Sequence, residues 1–367
     1  MIRLSKSSIG ENEKKQVLKV LDEEFLGMGK YVESFENKLE NFFSRQVSCV
    51  VNGTAALHLA LQAIGVEFGD EIIVPSLTYV ATYQAITACG AIPISCDVSL
   101  GNLCIDPEEI EKKITKKTKA IITVHYAGFA GNIEDILNIG KKYGIRVIED
   151  AAHAFGSSNK GKVIGSFGDI ACFSFDGIKN ITSGEGGCVV SNDREVISNI
   201  NEARLLGVIG DTEKRYEGRR SWDFDVRLQG WRYHMSNIMA AIGIEQFKRK
   251  EKIFEIRRCL AKHYDFLLGK THVKTLVKKY DEVVPHIYPV ILPKEVDRDH
   301  LRQKLFDLGI ETGVHYKPNH LLSIYKQESI KLPVTDEIYP RLLSLPLHED
   351  LSKNLVEKVV SELIRNL

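Results

Sequence analysis

From Val47 to Val190 the chain repeats one pattern: short apolar runs without alternation, separated by stretches of helical periodicity. The runs are Val47–Val51, Glu71–Val74, Ile92–Cys96, Ala120–Val124, Arg146–Asp150, Ile170–Ser174 and Gly187–Val190. Helical spacing fills most of the gaps, over Thr54–Ile64, Val80–Cys89, Pro107–Lys113 and Ile133–Tyr143. A strand that is apolar on both sides has to be covered on both faces, and a helical crossover brings the next strand in parallel. The pattern predicts an α/β fold around a mainly parallel sheet. Such folds bind ligands at the carboxyl ends of their strands. The residues that follow each run are therefore the ones to inspect.

The flanks read differently. Glu11–Glu24 and Val32–Phe43 carry helical periodicity, and a further helix is expected from Asp193 to Leu205. Gly207–Arg227 is polar and charge-rich and reads as a long loop, a feature that in compact domains tends to be functional. Ser236–Phe266 reads as one long helix, straight or bent, bridging two domains. A strand over His286–Leu292, a helix over Arg298–Leu308, a strand near Thr312–Tyr316 and a helix over Lys353–Leu367 predict a smaller C-terminal α+β domain. A chain of 367 residues has room for both. The expected division is a large domain over 1–248 and a small one over 249–367.

Composition narrows the function classes. Lys plus Arg and Asp plus Glu each total 49, so the chain is formally neutral and lacks the basic surplus of a nucleic-acid groove. The seven cysteines show no C-x-x-C spacing, which argues against a zinc site or a redox pair. No metal is expected. The N-terminus has no apolar stretch of the signal-peptide kind, and no window approaches 18 uncharged apolar residues. The expectation is a cytoplasmic protein without a membrane partner.

Chemistry-bearing residues fall at the strand ends. In Asn52-Gly-Thr-Ala-Ala-Leu57, a strand gives way to a helix: Gly53 lets the backbone approach closely, and the free amides of Thr54 and Ala55 form a ready anion site. The same residues also read simply as a helix capped by Thr54. Ile145-Arg-Val-Ile-Glu-Asp150-Ala-Ala-His153 puts two acids at the end of a central strand. A buried aspartate needs a cation or several donors, and a protonated ring nitrogen would serve. Asp150 is the better candidate, with Glu149 facing the other way; a helix cap is the ordinary alternative. Tyr79, just after Val74-Pro-Ser-Leu-Thr78, could back a planar ring or be a half-buried tyrosine.

Downstream, Phe173-Ser-Phe-Asp-Gly-Ile-Lys179 runs from strand into a Gly-rich turn. Lys179 is flanked by Ile178, Asn180 and Ile181, not by the other charges that surround solubility lysines. A phosphate cradle, a ring-nitrogen acid, an aromatic plate and a turn lysine on one sheet edge are the equipment for pyridoxal 5′-phosphate (PLP). Lysine would form the Schiff base and aspartate would keep the pyridinium protonated. No G-x-G-x-x-G follows the first strand, so a dinucleotide fits less well.

Taken in order, Gly53-Thr-Ala-Ala-Leu, Glu149-Asp-Ala-Ala-His and Phe173-Ser-Phe-x-x-x-Lys-Asn-Ile-Thr-x-Gly-Glu-Gly-Gly resemble the DegT-type nucleotide-sugar aminotransferases of PLP fold type I. The likeness continues in Gly230-Trp-Arg-Tyr-His-Met235, Val314-His-Tyr-Lys-Pro-Asn-His320 and Leu343-Ser-Leu-Pro-Leu347. The resemblance implies an aspartate-aminotransferase-like fold, with Lys179 as Schiff-base lysine and proton shuttle. It implies Asp150 at the pyridine nitrogen, His153 beside the ring hydroxyl and Tyr79 stacked on the ring. Gly53, Thr54, Ala55 and Ser174 would surround the phosphate. It also implies a homodimer with shared active sites, in which Gly230–Asn237, with Arg232, reaches the partner's cofactor.

Three positions depart from the family pattern: Asp176, where many relatives have His or an aromatic, Arg232 in place of Asn, and His234 in place of Arg. They bear on the substrate, for which Asp176, His315, Tyr316 and His320 are the binding candidates. Likeness to viosamine- and perosamine-forming members implies glutamate as amino donor. The acceptor would be a dTDP-linked 4-keto-6-deoxyhexose, aminated for O-antigen or other surface polysaccharide. A 3-keto sugar, or a UDP- or GDP-linked one, is the near alternative. A PLP-binding regulatory protein without turnover is the distant one, and the intact Lys179, Asp150 and Gly-Glu-Gly-Gly set argues against it.

Overall fold

A computed structural model of the chain describes residues 1–276, 279–326 and 329–367. Seven strands form the main sheet: β1 (Gln46–Val50), β2 (Glu71–Pro75), β3 (Ile92–Cys96), β4 (Thr118–Val124), β5 (Arg146–Asp150), β6 (Ile170–Ser174) and β7 (Gly187–Ser191). Their order is β1-β7-β6-β5-β4-β2-β3. β6-β5-β4-β2-β3 pair in parallel, and β7 alone runs against its neighbours. Alternate residues of one strand serve opposite faces. In β6, Ala171 and Phe173 join a cluster with Phe35, Phe155 and Met235. Ile170 and Cys172 join the other face with Leu57, Leu61 and Ile148. Burying a side chain such as Phe173 contributes about 1.5–3 kcal/mol, so both faces hold the strand in place.

Toward the C-terminus, β8 (Lys274–Thr275), β9 (Tyr288–Ile291) and β10 (Leu342–Leu345) form a small antiparallel sheet. It rests on the helices Lys250–Leu268 and Lys353–Arg365 through a separate cluster that includes Leu260, Tyr264, Val290, Val356 and Val360. No helix among the described residues is long and apolar enough to cross a membrane.

The main-sheet strands fall within two residues of the expected runs, but four local expectations fail. The stretch Gly207–Arg227 is not loop throughout: Asp211–Tyr216 is helical, started by left-handed Gly210 and held by the Asp211–Arg215 ion pair at i,i+4. The long helix over Ser236–Phe266 is two, Asn237–Lys248 and Lys250–Leu268. Arg249 breaks it at φ −102°, ψ 11°, with its guanidinium bonded to Glu13, Glu349 and the Ser8 carbonyl. Thr312–Tyr316 forms no strand; its ladder contact is the single bridge between Gly313 and Ser344. The cap of the first crossover helix is Asn52, not Thr54, with Asn52 Oδ1 accepting from the Ala55 amide at 2.9 Å.

One buried ion pair ties the helical flank to β1. Arg204 is fully buried and donates to Glu36 Oε1 at 2.5 Å, to the Cys49 carbonyl at 2.7 Å and to Tyr216 Oη at 2.9 Å. The Tyr216 hydroxyl in turn donates to Glu36. Removing one partner strands the other charge in a low-dielectric interior. Arg204→Met should therefore lower unfolding stability by about 3–5 kcal/mol, read as a fall in the urea midpoint.

Candidate active site

Strand ends, crossover starts and one C-terminal segment enclose a single cavity of about 460 Å³, within the range of small-molecule sites. Asn52, Gly53 and Thr54 line it from the first crossover, Thr78, Tyr79 and Thr82 from the second, Asp150 and His153 from the end of β5. Ser174, Asp176 and Lys179 come from β6 and its turn, and His315 and Tyr316 from the C-terminal part.

Asp150 is the last residue of β5 and is buried. Its Oδ2 accepts from Thr82 Oγ1 at 2.8 Å and its Oδ1 from the Ala152 amide at 3.2 Å. Burial raises its pKa above the ordinary carboxyl value, and those two donors with the charge of Lys179 only partly offset this. Such a carboxylate gains from a cation brought into the cavity. Glu149, one residue earlier, turns the other way and accepts from His125 Nε2 at 2.8 Å and from the Gly168 amide at 2.6 Å.

Lys179 sits in a turn that backbone bonds shape. The Phe175 amide donates to the Gly186 carbonyl at 2.7 Å, the Ser183 amide to Phe175 at 2.8 Å, and the Lys179 amide to Asp176 at 3.0 Å. Asn180 Nδ2 fastens the turn to the carbonyls of Phe155 (3.0 Å) and Val284 (3.3 Å). Burial lowers the Lys179 pKa to about 8, against the pull of Asp150 and Asp176 and helped by Arg257. His153 donates or accepts through Nε2 to Tyr316 Oη at 2.8 Å. Burial first, and then the Lys179 charge, push its pKa well below the usual imidazole value, so the ring is neutral near pH 7.

At the start of helix Gly53–Ala63, Asn52 occupies the Ala55 amide. The amides of Gly53 and Thr54 are left without an intrahelical acceptor. A Cβ on Gly53 would meet Ser174 Cβ at 2.9 Å, so only glycine allows this end of the helix to lie against β6. An anion is favoured at such a terminus.

The sequence candidates do not all meet here. Ala55 is buried behind the helix start. His320 is buried elsewhere, with Nδ1 bonded to Ser76 Oγ at 2.7 Å and Nε2 to Asp336 Oδ1 at 2.9 Å; it anchors the loop before Tyr79 and does not line the cavity. Arg232 is exposed and outside the cavity, its backbone bridged to Leu205. Tyr79 is 57% exposed, with its ring 5.4 Å from that of Tyr316. Two contributors were missed: Thr82, one turn into its helix, and His286, whose Nε2 lies 3.5 Å from Lys179 Nζ. Neither sits in a stretch with a local signal.

The model of the DegT/DnrJ/EryC1/StrS aminotransferase family matches residues 7–364. The chain belongs to that family. It is 35% identical to the GDP-perosamine synthase of Vibrio cholerae, over 98% of this chain and 97% of that protein. It is likewise 35% identical to the UDP-4-amino-4,6-dideoxy-N-acetyl-β-L-altrosamine transaminase of Campylobacter jejuni, over 96% and 94% of the two chains. Spr1654 of Streptococcus pneumoniae, solved in a PLP form, matches with a TM-score of 0.92 at 28% identity, covering 100% of this chain and 99% of that one.

The enzyme is accordingly a PLP-dependent sugar aminotransferase of fold type I. Its cavity fits that cofactor: two open amides suit an anion, an under-compensated buried carboxylate suits a cationic ring, and an amine of depressed pKa suits a carbonyl. A lysine whose pKa is lowered is neutral, and nucleophilic, above that pKa. Modification of Lys179 in the cofactor-free protein by an amine-directed acylating reagent, followed by peptide mass spectrometry, should rise with pH through a midpoint near 8. Surface lysines should respond about two units higher.

Proposed function

We propose that this aminotransferase moves an amino group from glutamate to C4 of a nucleotide-linked 4-keto-6-deoxyhexose. The observation that carries the reading is the convergence of Lys179, Asp150 and the open helix start at Gly53–Thr54 on one cavity. The cofactor, when bound, supplies the carbonyl that receives the amino group and the electron sink that makes the adjacent carbon acidic.

The chain's own groups divide the remaining work. The Gly53 and Thr54 amides with the Ser174 hydroxyl would hold the phosphate. Asp150, oriented by Thr82 and Ala152, would keep the pyridine nitrogen protonated. His153, kept in place by Tyr316, and Tyr79 would hold the ring. Lys179 Nζ takes a proton from Cα of glutamate and later delivers one to C4 of the sugar. A pKa near 8 suits both directions close to neutral pH. Asp176, His315 and Tyr316 meet the hexose.

Residues 1–248 are read as the large domain and 249–367 as a smaller one that contributes His315 and Tyr316. In the proposed homodimer, the exposed Arg232 reaches the partner's cavity, where a guanidinium binds phosphate strongly. The name of the Campylobacter jejuni relative, which prints a 4-amino-4,6-dideoxy sugar, favours C4 as the aminated carbon. The names of the two relatives carry GDP and UDP, so a GDP- or UDP-linked sugar is preferred here over the dTDP-linked one. The product is read as an amino sugar for surface polysaccharide such as O-antigen.

A panel of GDP-, UDP- and dTDP-linked 4-keto and 3-keto sugars, incubated with glutamate and resolved by mass and NMR, tests the assignment. Amination at C4 of a GDP or UDP sugar is expected; amination only at C3 would overturn the regiochemistry. Lys179→Ala should abolish amino transfer on every substrate while leaving the melting temperature within a few degrees. Turnover by that variant would remove the lysine from the chemistry.

A further inference from the structure

We propose that His286 is a positioning residue for Lys179: its Nε2 accepts a hydrogen bond from Nζ and turns the amine's lone pair toward the cavity. The inference rests on Lys179 being the reactive amine. It adds a group from the C-terminal half that no local motif marks.

The two residues are 107 positions apart, and their nitrogens lie 3.5 Å from each other. That is the outer edge of a hydrogen bond, as catalytic contacts often are before substrate is present. The placement is built rather than incidental. Arg257, itself buried, donates to the His286 carbonyl at 3.1 Å and to the Pro285 carbonyl at 3.5 Å. Two residues before His286, the Val284 amide donates to Ser157 Oγ at 2.9 Å, and the Val284 carbonyl accepts from Asn180 Nδ2 at 3.3 Å. Asn180 adjoins Lys179, so the lysine turn and the histidine segment are fastened to each other. On its other side the imidazole lies against His153, ring centroids 4.6 Å apart at 48°.

The chemistry of the contact follows from what surrounds it. Lys179 feels Asp150, Asp176 and Arg257; His286 feels Lys179, His153, Arg257 and His315. Burial first, and then the charge of Lys179, push His286 well below the ordinary imidazole pKa, so the ring is neutral and one nitrogen carries a lone pair. Its Nδ1 is buried with no hydrogen-bond partner. In the proposed arrangement Nδ1 carries the ring hydrogen and Nε2 turns its lone pair to Nζ. A lone pair at Nε2 accepts from the amine and leaves the amine's own lone pair open. The reverse tautomer would cap that lone pair. Lysine ends a flexible stem with rotatable donors, and a fixed acceptor on one side limits where the amine points. Orientation of this kind is worth large factors in rate.

The test uses the full-length protein freed of cofactor. Pyridoxal phosphate is added at neutral pH, trapped with borohydride at timed intervals, and the Lys179 peptide quantified by mass spectrometry in wild type, His286→Gln and His286→Asn. Glutamine carries an acceptor oxygen at similar reach; asparagine carries the same amide one carbon short. Trapping in His286→Gln should stay close to the wild-type rate, and in His286→Asn fall about 10-fold or more. Equal rates in the two variants, or faster trapping in His286→Asn, would overturn the proposal.

Absence of trapping at Lys179 in the wild type would overturn the functional reading as well, so the two failures are distinguishable. A second measurement leaves His286 unchanged. Its Nε2 nitrogen NMR resonance should move between wild type and Lys179→Ala, and an unmoved resonance would contradict the contact.

Discussion

A carboxyl group at the end of a buried strand is the constraint around which the site is arranged. Asp150 leaves water when β5 enters the sheet, and it receives in exchange one hydroxyl and one amide. That exchange is incomplete, since burial still lifts its pKa. A fold keeps such a group only where something else makes up the difference. The neighbouring residues are placed as though for a cation lying between Asp150 and Lys179. The lysine carries the complementary strain, an amine whose ammonium form is disfavoured by the same burial.

The parallel sheet supplies the edge, and the C-terminal half supplies the wall opposite it. Contacts between them are polar and specific. His320 binds Ser76, Tyr316 binds His153, and Asn180 holds the Val284 carbonyl. Tyr126 donates to the His315 carbonyl, while His315 Nδ1 meets Ser344 Oγ at 2.8 Å. Segments with little regular structure, such as 313–320, are thereby tied to the scaffold by side-chain hydrogen bonds. Irregular backbone next to a regular scaffold is where functional side chains collect.

Much of this was legible in the linear chain. Unbroken apolar runs separated by helical periodicity announced a covered parallel sheet, strand-end positions marked Asp150 and Lys179, and the family resemblance added Ser174. What could not be read has physical reasons. Thr82 is an ordinary helix residue until the crossover lays it against Asp150. His286 meets Lys179 only through tertiary folding. The break at Arg249 comes from ion pairs to Glu13 and Glu349, which periodicity does not encode. His320 misled in the opposite direction: it lies in a motif with His315 and Tyr316, yet its ring is turned away to hold Ser76 and Asp336.

The proposed use of Lys179 in amino transfer can be followed in one cuvette. Loading the purified protein with pyridoxal phosphate should produce a visible absorption band that glutamate bleaches and a 4-keto nucleotide sugar then restores. Both changes should be missing in Lys179→Ala. A band indifferent to glutamate, or one that responds equally without the lysine, would contradict the assignment.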